Sequence, residues 1–218
     1  MGQTNETNLW LAQTLFELGG ITFGDFTLGR TTVNSPVYVN PRLLVSNPEA
    51  LRRVARLIDR EIQAGMSRKN HAIEPFDRVA GVPFGGLHLA TAYSLATNTP
   101  MLYLRAPGGS GAVVGDGHGI EGRFAPGERV LLIDDLITSG GSVLETSAAL
   151  ERAGLVVKDV VVLIDREQGA TERLRHQGYN LLPIVTLRAM LTYYLNTKRI
   201  GEAQYDRCML YLDRVHRS

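Results

Sequence analysis

The sequence predicts an α/β fold whose parallel sheet carries its functional groups at one edge. The apolar run 130–133, Val-Leu-Leu-Ile, is typical of a buried parallel strand, and it leads through a polar loop into an apolar helix. Two other predicted strands, 76–81 and 156–164, also end in polar or glycine-containing turns. Because ligands bind outside the carboxyl ends of parallel strands, we expect the three turns to share one edge of the sheet.

The composition is that of an ordinary globular protein. The 218 residues, 44% hydrophobic and 21% charged, suffice for one α/β core and a small attachment. A net charge of +1 indicates neither a nucleic-acid partner nor an anionic membrane surface. No signal peptide and no membrane-spanning apolar run is recognisable, so we expect a cytoplasmic location. The single cysteine, Cys208, excludes an intramolecular disulfide and is interpreted as a packed helix residue.

The N-terminal part is predicted to contain a helix and a small antiparallel unit. Residues 8–18 place apolar side chains on one face of a helix, and the glycines at 19–20 end it. The short alternating segments 21–28 and 36–40, which polar residues separate, predict two antiparallel strands.

After residue 45 the predicted helices and strands alternate. Residues 48–64 predict a helix, because Ser46 or Asn47 can cap it, a proline lies in its first turn, and apolar residues recur at helical spacing. We see no chemistry in the helices after residue 187. The other predicted elements are, in chain order, a helix over 87–96, a strand over 100–104, a helix from 143 to 152, a short helix over 171–178, a strand over 183–187, and helices over 188–195 and 201–215.

The loop after the strand 130–133 has the chemistry of a phosphate site. Its glycines let the backbone approach a ligand, N–H groups at a helix start bind anions, and hydroxyl groups add donors. Two carboxylates before the loop repel a phosphate, but they suit vicinal hydroxyls or a Mg2+ ion with its waters. One phosphate beside one diol describes a ribose 5-phosphate, and the absence of a lysine after the glycines excludes a Walker loop. The acidic pair is Asp134 and Asp135, and the phosphate loop is Thr138, Ser139, Gly140, Gly141 and Ser142.

The stretch 130–146, VLLIDDLITSGGSVLET, resembles the phosphoribosyl pyrophosphate (PRPP) signature of type I phosphoribosyltransferases, and the orotate phosphoribosyltransferases match best. The resemblance extends over about residues 9–195. It implies a central parallel sheet flanked by helices, with residues 1–45 as an N-terminal helix and hood and residues 46–218 as the PRPP-binding core. It also implies that the phosphate loop binds the 5-phosphate of a Mg2+–PRPP complex and the acidic pair its ribose hydroxyls. The metal is expected to bind through PRPP, without a separate metal site in the protein.

Two further loops match the family. The Gly-Val-Pro stretch implies a pyrophosphate site at Val82, Pro83 and Phe84. The sequence DREQG at 165–169 implies that Arg166 binds a pyrimidine base such as orotate, because a planar guanidinium suits a ring that bears carboxylate and carbonyl groups.

The N-terminal segment 23–40 resembles the hood strands that lie over the base in orotate phosphoribosyltransferases. This match implies that Phe26 contributes to the base site. Where the family has a lysine, this chain has Gly29, followed by Arg30. We expect Arg30 to belong to the base site and to reach a phosphate or carboxylate group, since its guanidinium is a strong fork-shaped donor.

Residues 105–122 are expected to form a flexible lid. They include seven glycines and have little apolar periodicity, as in mobile loops of compact domains. The resemblance implies that the lid closes over the reacting atoms, with Arg105 and His118 as catalytic residues beside Asp134 and Asp135. The lysines of the family's lid are missing: Ala106 follows the arginine, and the loop contains no lysine. Each missing lysine removes a charge-assisted hydrogen bond to pyrophosphate, worth about 1.5–3 kcal/mol.

Two alternatives to an orotate phosphoribosyltransferase stay open. The lysine-free lid fits a PRPP- or nucleotide-binding regulator that has kept the site and lost the reaction, whereas the DREQG and hood segments oppose it. A transferase for another base is the second alternative. The family resemblance also implies a homodimer in which each lid serves the neighbouring active site.

Overall fold

The computed structural model describes residues 8–28, 32–68, 73–105 and 119–216. Its helices are α1 (Leu9–Glu17), α2 (Pro48–Met66), α3 (Gly85–Thr97), α4 (Gly141–Arg152), α5 (Ala170–His176), α6 (Leu187–Asn196) and α7 (Glu202–His216), with a 3-10 helix over Pro41–Ser46. Its strands are β1 (Ile21–Leu28), β2 (Thr32–Val39), β3 (Arg78–Gly81), β4 (Met101–Leu104), β5 (Ile120–Glu121), β6 (Arg129–Ile137), β7 (Val156–Asp165) and β8 (Asn180–Thr186).

A mostly parallel sheet forms the centre of the described structure. Its six strands lie in the order β5-β4-β3-β6-β7-β8, and β5 is antiparallel to β4 whereas the other neighbours are parallel. β6 pairs with β3 on one side and β7 on the other, and its apolar run 130–133 is buried. A strand covered on both faces requires such a continuous apolar run, which is why its position could be predicted.

The N-terminal strands β1 and β2 form a separate two-stranded antiparallel sheet. This small sheet is packed onto the rest of the chain, because Leu15 and Val37 share a hydrophobic cluster with Leu131 of β6 and Tyr194 of α6. The predicted division of the chain at residues 45 and 46 stays a prediction.

The main correction to the sequence-based elements concerns β6. We predicted that the acidic pair follows the end of this strand, whereas the strand continues through both residues to Ile137. The cause is β7, which pairs with β6 over this stretch: Asp134 lies opposite Val162, and Ile137 lies opposite Asp165. Pairing with a neighbour therefore extends β6 beyond its apolar run.

Partner strands also move other boundaries. β2 begins at Thr32, four residues earlier than predicted, because Thr32 pairs with Leu28 across the hairpin. β8 begins at Asn180, where it pairs with Asp159 of β7. β5 lies in a stretch that we predicted to belong to the lid. Among the described helices, none combines the length and apolar character needed to cross a bilayer.

Candidate active site

The acidic pair is buried in the middle of the sheet edge. Asp134 is 6% exposed and Asp135 is 9% exposed, and the backbone N–H of Asp135 donates to Asp134 Oδ1 at 2.8 Å. Burial raises the pKa of both carboxyl groups, and the charge of Asp135 raises the pKa of Asp134 further. A ligand that donates hydroxyl hydrogens or brings a cation would offset this cost, which fits the predicted role of the pair.

Arg42 and His88, which the sequence analysis did not indicate as site residues, act on Asp135. The charges of Arg42, from the 3-10 helix, and His88, from α3, act to lower the pKa of Asp135 against the effect of burial. Burial lowers the pKa of His88, and the charge of Asp135 opposes this change. Neither residue lies near the acidic pair in sequence, so no local pattern indicated them.

The phosphate loop connects β6 to α4. Gly140 has a positive φ of 80°, and its carbonyl accepts a hydrogen bond at 3.0 Å from the backbone N–H of Leu144 in α4. Among the described residues, no atom lies within 4 Å of the position of a Cβ on Gly141, so the backbone there is open to a ligand. Arg173 of α5 donates from Nη1 to the carbonyl of Ser139 at 3.3 Å. The structure therefore places the predicted phosphate loop at the start of a helix, directly after the acidic pair.

The loop 82–84 lies beside the acidic pair because β3 and β6 are neighbours. The backbone N–H of Val82 donates to the carbonyl of Ile133 at 2.9 Å, and the Pro83–Phe84 peptide bond is cis. Phe84 is 69% exposed.

Glycines allow α3 to begin against β6. A Cβ on Gly85 would lie 2.2 Å from the carboxyl group of Asp135, and a Cβ on Gly86 would lie 2.1 Å from the carbonyl oxygen of Ile133. Any side chain at these positions would collide with the strand or with the acidic pair. Gly85, the residue after the predicted pyrophosphate loop, therefore lies directly against the acidic pair.

Arg166 joins the core to the N-terminal sheet. This side chain is 2% exposed, and its Nη2 donates to Ser35 Oγ of β2 at 2.9 Å. Phe26, predicted to contribute to the base site, is the cross-strand partner of Ser35. Burial lowers the pKa of Arg166, and its Nε has no hydrogen-bond partner within the described part of the chain. Arg166 therefore contacts Ser35, and Phe26 lies opposite Ser35 in the β1–β2 pair, although Ser35 was not among the predicted site residues.

Arg105 lies at the end of β4. Its backbone N–H donates to the carbonyl of Gly119 at 2.9 Å, and its Nε lies 3.2 Å from Glu121 Oε1 of β5. His118 and Arg30 lie outside the described residues, so their roles stay predictions.

Comparison with known proteins identifies the family. Residues 44–179 match the model of the phosphoribosyl transferase domain. The chain belongs to the phosphoribosyltransferase family. It is similar to the orotate phosphoribosyltransferase of Pyrococcus abyssi, with 38% identity over 175 residues, 80% of this chain and 90% of that protein. It is also similar to the uridine 5′-monophosphate synthase of Bos taurus, with 35% identity over 193 residues, 88% of this chain and 38% of that protein.

Solved structures of the family support the same assignment. The UMP synthase of Leishmania donovani aligns with a TM-score of 0.83 and 32% identity, over 97% of this chain and 43% of that chain. The orotate phosphoribosyltransferase of Aeropyrum pernix aligns with a TM-score of 0.67 and 29% identity, over 84% of this chain and 98% of that chain. The predicted family, its fold class and its enzyme class, a phosphoribosyltransferase, are confirmed.

Proposed function

We propose that this protein transfers the 5-phosphoribosyl group of PRPP to orotate, which forms orotidine 5′-monophosphate and pyrophosphate in pyrimidine nucleotide biosynthesis. The observation that carries the proposal is the meeting of two different sites at one sheet edge. The acidic pair and phosphate loop follow β6, and a buried arginine with a free donor follows the neighbouring β7. The relatives named orotate phosphoribosyltransferase support the choice of orotate.

For PRPP, we assign the 5-phosphate to the phosphate loop and the ribose hydroxyls to the acidic pair. Backbone N–H groups at the start of α4 favour the phosphate, and the buried carboxylates favour groups that donate hydrogen bonds. We assign the pyrophosphate to Val82, Pro83 and Phe84, because Gly85 and Gly86, which follow them, let the chain approach β6 closely.

The acidic pair also fits a Mg2+ ion that arrives with PRPP. Among the described residues, no group of three or more His, Cys, Asp or Glu side chains is arranged to hold a metal ion. The two carboxylates would contribute oxygen ligands, and substrate oxygens and waters would complete the oxygen-rich shell that Mg2+ prefers. When bound, Mg2+ supplies positive charge to the leaving pyrophosphate.

For the base, we assign Arg166 as the polar contact and the β1–β2 sheet as the cover. Ser35 holds one guanidinium nitrogen, which leaves Nε free to donate to a carbonyl or carboxylate of the base. Phe26 lies opposite Ser35 and supplies an aromatic surface. Arg30 is proposed to add a second cation to the same site.

In the reaction a base nitrogen forms a bond to C1 of the ribose, and the bond from C1 to pyrophosphate oxygen breaks. The transition state resembles an oxocarbenium ion, with negative charge growing on pyrophosphate, so cations and exclusion of water stabilise it. Arg105 is proposed to exchange its contact with Glu121 for the pyrophosphate, and His118 to act from the lid.

The test is turnover of orotate. Purified protein is mixed with Mg2+, PRPP and orotate, and the loss of orotate absorbance is followed together with pyrophosphate release. Turnover is expected, and it would mean that arginine or histidine side chains replace the lid lysines. Absence of turnover with intact PRPP binding by calorimetry would contradict the proposal and favour the regulator, the alternative that the lysine-free lid supports. Turnover with another base in a panel would instead identify the second alternative, a transferase for that base.

A homodimer and a cytoplasmic location complete the proposal. The family resemblance supports the dimer, in which each lid would serve the partner's site. Sedimentation equilibrium is expected to give twice the monomer mass of 23.9 kDa. Cell fractionation tests the location.

A further inference from the structure

The C-terminal helix α7 packs against both segments proposed to hold the base. On one side, Arg207 of α7 forms an ion pair with Asp25 of β1. On the other, the hydroxyl oxygen of Tyr211 accepts a hydrogen bond from Gln168 Nε2 at 3.2 Å. Tyr211 and Gln168 are both buried. Gln168 lies two residues after Arg166, so α7 contacts the loop that carries the proposed base-binding arginine.

A second route connects α7 to the same loop through α6. Asp213 of α7 accepts a hydrogen bond from Arg188 Nη2 at 2.8 Å. The backbone N–H of Arg188, in the first turn of α6, donates to Glu167 Oε2 at 3.1 Å. Glu167 is the residue between Arg166 and Gln168 and has a positive φ of 57°. Three consecutive residues of the loop are therefore held by partners from other parts of the fold.

These contacts close a ring around the base site. Arg166 connects the loop to β2 through Ser35, α7 connects to β1 through Arg207, and Tyr211 connects α7 back to the loop. Two buried polar atoms of the loop, Arg166 Nε and Gln168 Oε1, have no hydrogen-bond partner among the described residues. Buried polar atoms normally form hydrogen bonds. We therefore expect these two atoms, which lie in the proposed base site, to form hydrogen bonds with the ligand.

We propose that Tyr211 is a positioning residue for the base site, which holds Gln168 and thereby fixes the loop 165–169 that presents Arg166. This inference rests on the proposed role of Arg166 in binding the base. It gives α7 a part in recognition of the base. PRPP is proposed to bind at β6 and the start of α4, whereas Arg207, Tyr211 and Asp213 of α7 contact β1, the loop 165–169 and α6. A change at Tyr211 should therefore act on the base and leave PRPP binding unchanged.

The alternative is that Tyr211 only packs α7 onto the core, since its ring belongs to the main hydrophobic cluster. The variant Tyr211→Phe separates the two roles, because it keeps the ring and removes only the hydroxyl group. The matched control is Tyr194→Phe. The Tyr194 hydroxyl is also buried and donates to the carbonyl of Ala12 at 2.8 Å. Both variants remove one buried tyrosine hydroxyl with its hydrogen bond.

Two measurements are made on both variants in the full-length protein. Tyr211→Phe is expected to raise the KM for orotate roughly threefold to tenfold, which corresponds to the net free energy of one hydrogen bond. The Kd for PRPP should not change. Hydrogen exchange of the backbone at 165–169 is expected to become faster in Tyr211→Phe than in Tyr194→Phe. This second readout does not depend on orotate being the substrate.

The inference is overturned if Tyr211→Phe leaves both the KM for orotate and the exchange of 165–169 at the values of the control. Its failure differs from failure of the proposed function. If Arg166→Ala also leaves the KM for orotate unchanged, the base site itself is misassigned, and the statement that Tyr211 positions that site falls with it. If Arg166→Ala raises this KM while Tyr211→Phe matches the control in both measurements, the base site stands and α7 has a packing role alone.

Discussion

The PRPP side and the base side of the candidate site are built in different ways. The acidic pair and the phosphate loop lie within nine consecutive residues, 134–142, on one strand–loop–helix unit. The base side joins Arg166 to Ser35, 131 positions apart in the chain, and adds a contact from Gln168 to Tyr211 of α7. Local chemistry therefore defines the first side, whereas packing between distant segments defines the second. Substitutions on the PRPP side should remove groups that bind PRPP. Substitutions in the segments that pack around the base side should displace the groups that bind the base.

The largest effect is expected when both carboxylates of the acidic pair are neutralised. Asp134→Asn together with Asp135→Asn should weaken PRPP binding roughly a hundredfold or more, because two charge-assisted hydrogen bonds of about 1.5–3 kcal/mol each are lost. Isothermal calorimetry measures the change, and Asp206→Asn, at an exposed position of α7, is the control. Unchanged affinity would show that the ribose hydroxyls bind elsewhere.

A smaller effect on the same side tests the contact between the loops. Gly85→Ala should weaken PRPP binding roughly tenfold to a hundredfold, because the new Cβ displaces the carboxyl group of Asp135 and costs about one charge-assisted hydrogen bond. Gly201→Ala is the matched control, since a Cβ there has no atom within 4 Å. If the two variants bind PRPP equally well, the close approach of α3 to the acidic pair is not needed for binding.

On the base side, Arg166→Ala should raise the KM for orotate roughly tenfold or more, while the Kd for PRPP changes much less, because the lost donors face the base. Steady-state kinetics and calorimetry measure the two quantities. Arg199→Ala controls for loss of stability, because it also removes an arginine whose buried Nε and Nη1 have no hydrogen-bond partner in the part of the chain that the structure describes. Equal changes in the KM for orotate and in the Kd for PRPP would contradict a base-specific role of Arg166. The PRPP side and the base side would then not be functionally distinct.

The smallest expected effect is one of stability. The pKa of Asp134 is raised in the folded protein, so the folded state becomes less stable as pH rises from the ordinary carboxyl pKa through the raised value. Asp134→Asn removes this cost and keeps an oxygen that can accept from the N–H of Asp135. At neutral pH we expect the Tm of the variant to be about 2–4 °C higher for each kcal/mol of destabilisation that the substitution removes. In acid the carboxyl group of Asp134 is protonated in both states, so the difference in Tm should disappear. Calorimetric melting across pH measures this. A lower Tm at neutral pH would mean that the carboxylate stabilises the protein without ligand.

The sequence by itself determined the family, the fold class and the positions of the main strands. The run 130–133 could be recognised because a strand buried on both faces needs continuous apolar residues, and the loop after it because phosphate binding needs glycines and hydroxyl groups at a helix start. These requirements are met by neighbouring residues, so they are visible in the linear pattern. The family model matches residues 44–179, a region that contains these motifs.

Only the tertiary structure decided how far β6 extends and which distant residues complete the site. Asp134 and Ile137 are in the strand because β7 pairs with them, and no property of their own side chains requires it. Arg42 and His88 act on Asp135, and Tyr211 holds Gln168, only because separate helices pack at these places. Such contacts depend on packing between segments far apart in sequence, so a single local pattern does not contain them.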